Sequence, residues 1–412
     1  RYNKTRYTSP LREHVLGGFF CMLKMGGWMV IPSTLWLALD YFTYFFSYGI
    51  FLPFWSIWLK GEGVDPAMIG LLLGVGLTAR FVGSLILTPA VKDPSKLITA
   101  LRLFAFLSLL FTVAFMLGTH WAWLFLVMTG FNVFFAPMVP LGDSLAGTWQ
   151  KQFPLDYGKI RVWGSIAFII SSSLLGILID AFGHPIILYG LIASTLALFL
   201  TSMLRPKIMP QGKVKKAEHH HVSFMKLISD GPVWRFLLCV SLLQGAHAAY
   251  YGFSALYWEK AGYDTATIGY LWSLGVVAEV VVFMFSRRLF RRWSARNLLL
   301  LSAFAGLLRW GMMGSFTALP ALIIVQILHS GTFTVCHLAA MRFITARQEH
   351  EIIRLQAVYS ALAMGGSIAI MTIVSGWLYE KLPNQEYLIF WLMAALTIPA
   401  MFIRPKVQPQ NT

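Results

Sequence analysis

Apolar runs of about 20 residues recur along this chain, each long enough to carry a helix across the hydrocarbon of a bilayer. They fall near 35–59, 67–91, 97–118, 121–146, 161–180, 184–204, 233–258, 265–286, 297–316, 319–342, 355–379 and 385–403, twelve in all. Hydrocarbon offers a backbone amide no partner, so each run has to be helical. The expectation is an all-α membrane protein of twelve transmembrane helices. Composition agrees: only 12% of the residues are charged, against about 25% in soluble chains.

The charges between the runs alternate. One set of loops is basic: Lys92 and Lys96, then Arg205 to Lys216, then Arg287 to Arg296, then Arg404 and Lys406. The other set carries Glu62, Asp65, Asp180, Glu259, Asp264, Glu380 and Glu386. The formal net charge of +16 is thus a topology signal rather than a nucleic-acid surface, and it places both termini in the cytoplasm. The longest internal loop divides the chain into two bundles. The domains read as an N-terminal extension 1–33, expected to be poorly ordered; a bundle 34–204; a linker 205–232; a bundle 233–404; and a tail 405–412.

The bundles repeat. A shift of 199 lays Asp65 on Asp264, Ile69-Gly70 on Ile268-Gly269, Leu72 on Leu271, Gly76 on Gly275 and Ala79 on Ala278. Duplicated six-helix units predict two bundles about an axis along the membrane normal, with a ligand site between them near the midplane.

Several chemistries are excluded. Gly142 to Thr148 has the glycine spacing of a phosphate loop but no lysine, so no nucleotide cofactor is expected. Cys21, Cys239 and Cys336 are odd in number and scattered, which argues against disulfides. His219, His220 and His221 are consecutive and cannot converge on one ion, so no metal is expected. No nucleophile constellation points to an enzyme, and any transport is expected to be driven by an ion gradient or to be passive.

What remains is a short roll of ionisable residues inside the runs, where charge is expensive and its default reading is functional. Asp143 ends the fourth run and Arg161 begins the fifth, so acid and base face each other across two helices. Arg80 and Glu279 are repeat mates of opposite sign and are expected to face the central cavity. Arg309 lies too deep in the ninth run to reach the surface easily, and His329 sits mid-way along the tenth. Asp40 reads as interfacial, and His247 and His337 as structural. The aromatic run Tyr41 to Trp55 is mainly packing, with an inward face able to line an aromatic pocket.

At Asp143, followed by Tyr157-Gly-Lys-Ile-Arg161-Val-Trp-Gly164, the chain resembles the major facilitator superfamily, specifically its lactose-permease-like proton symporters. The stretch YFFSYGIFLPFWSIWL (44–59) is similar to their first helix. The resemblance implies that Asp143 and Arg161 stand for the substrate-site pair. It puts Phe168 where a sugar-stacking tryptophan stands, and Arg309 and His329 where the coupling arginine and histidine stand. The chain departs from that pattern at Thr332, which replaces the tenth-helix carboxylate. It departs again at Gln244, His247, Gln326 and Gly365-Gly366, which replace paired acids and lysines.

Longer strings, among them LLQGAHAAYYGFSA, GYLWSLGVVAEV and HSGTFTVCHLAAMR, are similar to bacterial permeases for 3-phenylpropionate. That implies an inner-membrane, monomeric symporter for an aromatic carboxylic acid and a proton. Arg161 would meet the carboxylate with support from Arg80 or Arg309, Phe168 and first-helix aromatics would pack on the ring, Asp143 would hold Arg161, and Glu279, coupled to Arg309 and His329, would take the proton. A sugar or nucleoside symporter of the same fold is the alternative reading. A membrane sensor or membrane-embedded enzyme is a further competitor.

Overall fold

The computed structural model describes residues 29–212 and 229–405. The expectations for residues 1–28, His219 to His221 and the end of the tail lie outside these. Among the described residues eleven helices are long and apolar enough to cross a membrane: α1 Ser33–Gly61, α2 Pro66–Ala90, α3 Pro94–Leu117, α4 Trp121–Gln150, α5 Tyr157–Phe182, α6 Pro185–Ser202, α7 Gly231–Lys260, α8 Thr265–Leu289, α9 Ala295–Ser315, α10 Leu319–Thr345 and α11 Arg354–Lys381. A twelfth, shorter apolar helix, α12, spans Leu388–Ile403. A two-residue strand β1, Val30–Ile31, pairs in parallel with β2, Arg205–Pro206. Arg205 N donates to Met29 O at 3.0 Å and Lys207 N to Ile31 O at 2.8 Å. The residues just before α1 are therefore tied to the chain just after α6.

The repeat is visible in local geometry. Asp65 caps α2 by accepting from Met68 N at 2.8 Å, and its mate Asp264 caps α8 by accepting from Thr267 N at 2.8 Å. A cap of this kind satisfies an amide that the first helical turn leaves orphaned. In the preceding turns Gly63 and Gly262, again 199 apart, hold positive φ of 81° and 97°, which glycine adopts without a side-chain clash. The mates α4 and α10 are both interrupted near their middles. α4 breaks at Ala136-Pro137 between two straight segments, and α10 loosens into a π-helical turn at Ser330–Thr334. Such turns inside α-helices concentrate at functional sites.

The two bundles meet along α5 with α8, α2 with α11, and α1 with α7. Small residues allow the first two contacts. A side chain at Gly70 would come 2.8 Å from the Gly376 Cα, and one at Gly269 or Gly176 would strike backbone of the opposite bundle. Hydrogen bonds between the bundles gather toward the end with the acidic loops. Asp180 of α5 accepts from Thr265 N at 2.9 Å, Thr265 Oγ1 at 2.5 Å and Ala266 N at 3.0 Å. Glu380 of α11 accepts from Ala67 N at 3.0 Å, near the start of α2. Lys60 pairs with Glu259 at 2.8 Å. Nearer the middle, Ser273 meets Ser172 and Ser173, each at 2.8 Å.

Toward the basic end no hydrogen bond crosses between the bundles among the described residues. The apolar core divides accordingly. One cluster runs through the first bundle and over the acidic end into Ala246 to Phe253, Trp272 and Trp310. The basic-end part of the second bundle, with Phe236, Leu298, Val335 and Tyr359, forms its own cluster. The bundles are closed at the acidic end and part toward the basic end.

Candidate functional site

The candidate residues sort onto two walls. On the first bundle, α1 presents a continuous aromatic face. Tyr44 and Phe45 have ring centroids 5.0 Å apart, Tyr44 and Tyr48 6.3 Å, and Phe45 and Tyr48 6.3 Å. Two guanidinium groups rest on this face. Arg161 lies over the Phe45 ring at 4.3 Å and the Tyr41 ring at 5.1 Å, and Arg80 over the Tyr48 ring at 4.7 Å. A guanidinium on a ring face is held by the ring quadrupole and keeps its N–H groups for an anion. Gly164 makes the fit, because a side chain there would come 2.6 Å from the Phe45 ring and 2.9 Å from Arg161 Nη1.

The pairing expected between Asp143 and Arg161 is replaced by a different set of bonds. Asp143 Oδ1 accepts from Tyr41 at 2.5 Å and from Tyr157 at 2.8 Å. Arg161 makes no ion pair among the described residues, and its contacts are the two rings. Asp156, just outside the membrane at the start of α5, orients that helix start. Its carboxylate accepts from Lys159 N at 3.2 Å, and this bond, with the Lys159 side chain, holds it below the usual carboxylate range. Among the described residues Arg80 likewise meets no acid, and its Nη1 is buried without a hydrogen-bond partner. Phe168 is 5% exposed and sits behind Tyr48, edge to face at 6.1 Å. It supports the aromatic face from behind.

On the second bundle, Arg309 is fully buried and meets no carboxylate among the described residues. It donates through Nε to Val325 O at 2.9 Å and through Nη1 to Thr332 Oγ1 at 3.0 Å and His329 Nδ1 at 3.1 Å, with Gln326 Oε1 at 3.4 Å from Nη2. It also stacks on Trp310 at 4.2 Å and Tyr250 at 4.4 Å. A guanidinium can only donate, so His329 Nδ1 must accept and its proton sits on Nε2. That Nε2 points at Glu279 Oε2, 3.5 Å away. The row Arg309, His329, Glu279 therefore runs from the buried interior toward the cavity, with a hydrogen bond from Arg309 to His329 and a 3.5 Å contact from His329 to Glu279. Thr332, at the position of the missing carboxylate, also meets His247 Nε2 at 3.0 Å. The π-helical turn stacks His329, Phe333 and His337 in register, with interplanar angles of 7° and 9°.

The structure thus gathers Arg161, Arg80, Asp143 and Phe168 on one wall and Glu279, His329 and Arg309 on the other. The repeat mates Arg80 and Glu279 form no ion pair with each other among the described residues. Tyr250 enters the site as no more than one letter of a quoted string, while Tyr41 and Tyr48 were read only as part of the aromatic run, Tyr157 only as part of the motif before Arg161, and Gln326 only as a departure from the family pattern. Tyr157 had a signal, since it precedes Arg161 by one helical turn. Gln326 donates to Tyr250 at 2.9 Å and to Leu271 O at 2.7 Å, a role no local pattern announces.

Known proteins of similar sequence and similar fold point the same way. The model of the MFS_1 like family matches residues 34–390. The chain is 63% identical over 382 residues to the "Probable 3-phenylpropionic acid transporter" of Escherichia coli K12, covering 92% of this chain and all of that one. It is 25% identical to the maltose permease of Geobacillus stearothermophilus, over 89% of this chain and 93% of that one. Among solved structures, a point mutant of the nucleoside transporter NupG superposes with a TM-score of 0.78 at 17% identity, over 90% of this chain and 98% of that one.

Proposed function

The chain belongs to the MFS_1 like family and is a membrane transporter with the major facilitator fold, not an enzyme, and we propose that it carries 3-phenylpropionate, or a related aromatic carboxylate, with a proton across the bacterial inner membrane. The observation that supports this most is the pair of guanidinium groups that form no ion pair among the described residues, Arg161 and Arg80, lying on the contiguous aromatic face of α1. One surface offers both halves of the ligand what they need. The carboxylate gains charge-assisted bonds to guanidinium, and the ring gains apolar and edge-to-face contact.

In this reading Asp143, held by Tyr41 and Tyr157, lies beside Arg161 without occupying it. Among the described residues Glu279 is the acid in the middle of a span of the second bundle, and it faces the His329 N–H. It takes the proton. Protonation removes the attraction between Glu279 and His329, and with it the preference of that wall for its present arrangement. Rocking of the two bundles between the acidic-end contacts and a basic-end closure then exposes the site to each side in turn. The working unit is a single chain and needs no cofactor beyond the proton gradient.

A polyol reading draws on Asp143 itself, an exposed acceptor that already binds two hydroxyls. One assay separates the two. Uptake of labelled 3-phenylpropionate into proteoliposomes is measured with and without an inward proton gradient, with maltose and a nucleoside as competitors. The expected result is gradient-driven accumulation, insensitive to both competitors and abolished in Arg161→Ala. Accumulation of a sugar or nucleoside instead overturns the substrate assignment.

A further inference from the structure

Two cavities open on the outside of the helices. One, of about 320 Å³, is walled by α1, α5 and α6 through Phe42, Phe46, Ile50, Leu174 and Leu178, and no charged residue lines it. The other, of about 490 Å³, lies at the basic end of α9 and is lined by Arg292, Trp293, Asn297, Leu300, Leu301 and Phe304. Its α9 residues recur at the spacing of one helix face and run from polar to apolar. Asn297 is nearest the basic loop, Leu300 is 38% exposed, and Phe304, two turns deeper, is 59% exposed.

The rim is fixed rather than loose. Ser294 caps α9 by accepting from Asn297 N at 3.1 Å, and Arg342 of α10 donates to the Trp293 carbonyl. Arg287, Arg288, Arg291, Arg292 and Arg296 fall within ten residues. Clustered cations beside a membrane helix attract anionic lipid, and a tryptophan at the rim suits the headgroup level.

A surface on the outer face of a membrane helix is covered by lipid, so the question is which lipid. The cation and the amide at one end, with an apolar stripe descending from them, match a phosphodiester anion with its acyl chains below. Residues 213–228 are a poor occupant on charge, because they carry four lysines and one acid. We propose that this cavity binds one anionic glycerophospholipid, its phosphate held by Arg292 and Asn297 and an acyl chain laid along Leu300 and Phe304.

The test uses the full chain in detergent, titrated with short-chain phosphatidylglycerol or phosphatidylcholine, with retained lipids counted by native mass spectrometry. The expected result is one phosphatidylglycerol retained at about fivefold preference, the equivalent of ~1 kcal/mol per basic residue near the surface. The preference is lost in Arg292→Gln and kept in Arg205→Gln. Phe304→Ser weakens retention of both lipids, which checks the acyl stripe with the cation intact. Equal retention of the two lipids overturns the proposal, as does an unchanged preference in Arg292→Gln or unchanged retention in Phe304→Ser. Displacement by millimolar inorganic phosphate also overturns it, in favour of a site for the free anion.

Discussion

Asp143 directs its acceptor oxygen at two phenols, and the cation beside it lies flat on two rings. The two charges of the site are thus kept apart by tyrosine, and a carboxylate arriving from outside finds the guanidinium edge unspent. The acid of the opposite wall is tested by a change that keeps its shape. Glu279→Gln preserves the contact with the His329 N–H but cannot take up a proton. Exchange of labelled for unlabelled substrate is expected to persist within about twofold, while uphill accumulation is lost. Full accumulation in that variant would remove Glu279 from the proton path. At this scale the sequence was only half legible. An acid and a base inside apolar runs announce themselves by cost, so Arg80, Asp143, Arg161, Glu279 and Arg309 could be picked out. His329, the partner of Arg309 and Glu279, could be picked out too, but the tyrosines that hold Asp143 could not, because a tyrosine in an aromatic run carries no sign of whether its hydroxyl points at lipid, at packing or at Asp143.

Among the elements, the helices were the readable part, and their interruptions were not. Apolar length and flanking charge set the spans, and the observed ends fall close to the expected ones. None lies more than four residues away; α4 ends at Gln150 rather than 146, α5 begins at Tyr157 rather than 161, and α12, expected from 385, begins at Leu388. The residues before it form a turn with Asn384 at φ 67° and Glu386 clamped by Lys260. The π-helical turn of α10, Ser330–Thr334, contains no proline to signal it, and Arg309 donates to Thr332 within it and to His329 just before it. The α11–α12 turn yields a pH test. Burial pushes the Glu386 carboxyl up, but bonds from Lys260 and from backbone amides of the turn outweigh this and hold it below its usual value. A lowered carboxyl stabilises the fold above its unfolded value, and the contribution disappears as pH falls through the folded one. The thermal midpoint of wild type should therefore drop further between pH 6 and pH 3 than that of Glu386→Gln. Parallel curves would show that the clamp adds nothing.

For the whole molecule, the shape follows from where the two bundles are joined. Asp180 takes three donors from the start of α8, and Glu380 takes one from the start of α2. Hydrogen bonds to a charged group contribute about 1.5–3 kcal/mol each when intact, so Asp180→Asn should weaken the acidic-end contact. Spin labels at Trp163 and Phe285, on the basic-end segments of α5 and α8, would report it. The variant is expected to gain a shorter-distance population by about fivefold or more, as closure of the basic end becomes more frequent. An unchanged distribution would mean that the glycine contacts alone hold the acidic end.

The pair Lys60 and Glu259 has a meaning that goes beyond its exposed and modest bond. The two residues are 199 apart, so they are one position counted twice. In a symmetric dimer of identical bundles that position would lie against its own copy, and two like charges would repel across the axis. A single chain that contains both bundles escapes the constraint: each copy of the position can take the sign its partner lacks. Arg80 and Glu279 show the same divergence at the cavity wall. Covalent fusion has turned a self-facing surface into one that can carry opposite charges, and a site with an anion-binding side and a proton-binding side requires that asymmetry.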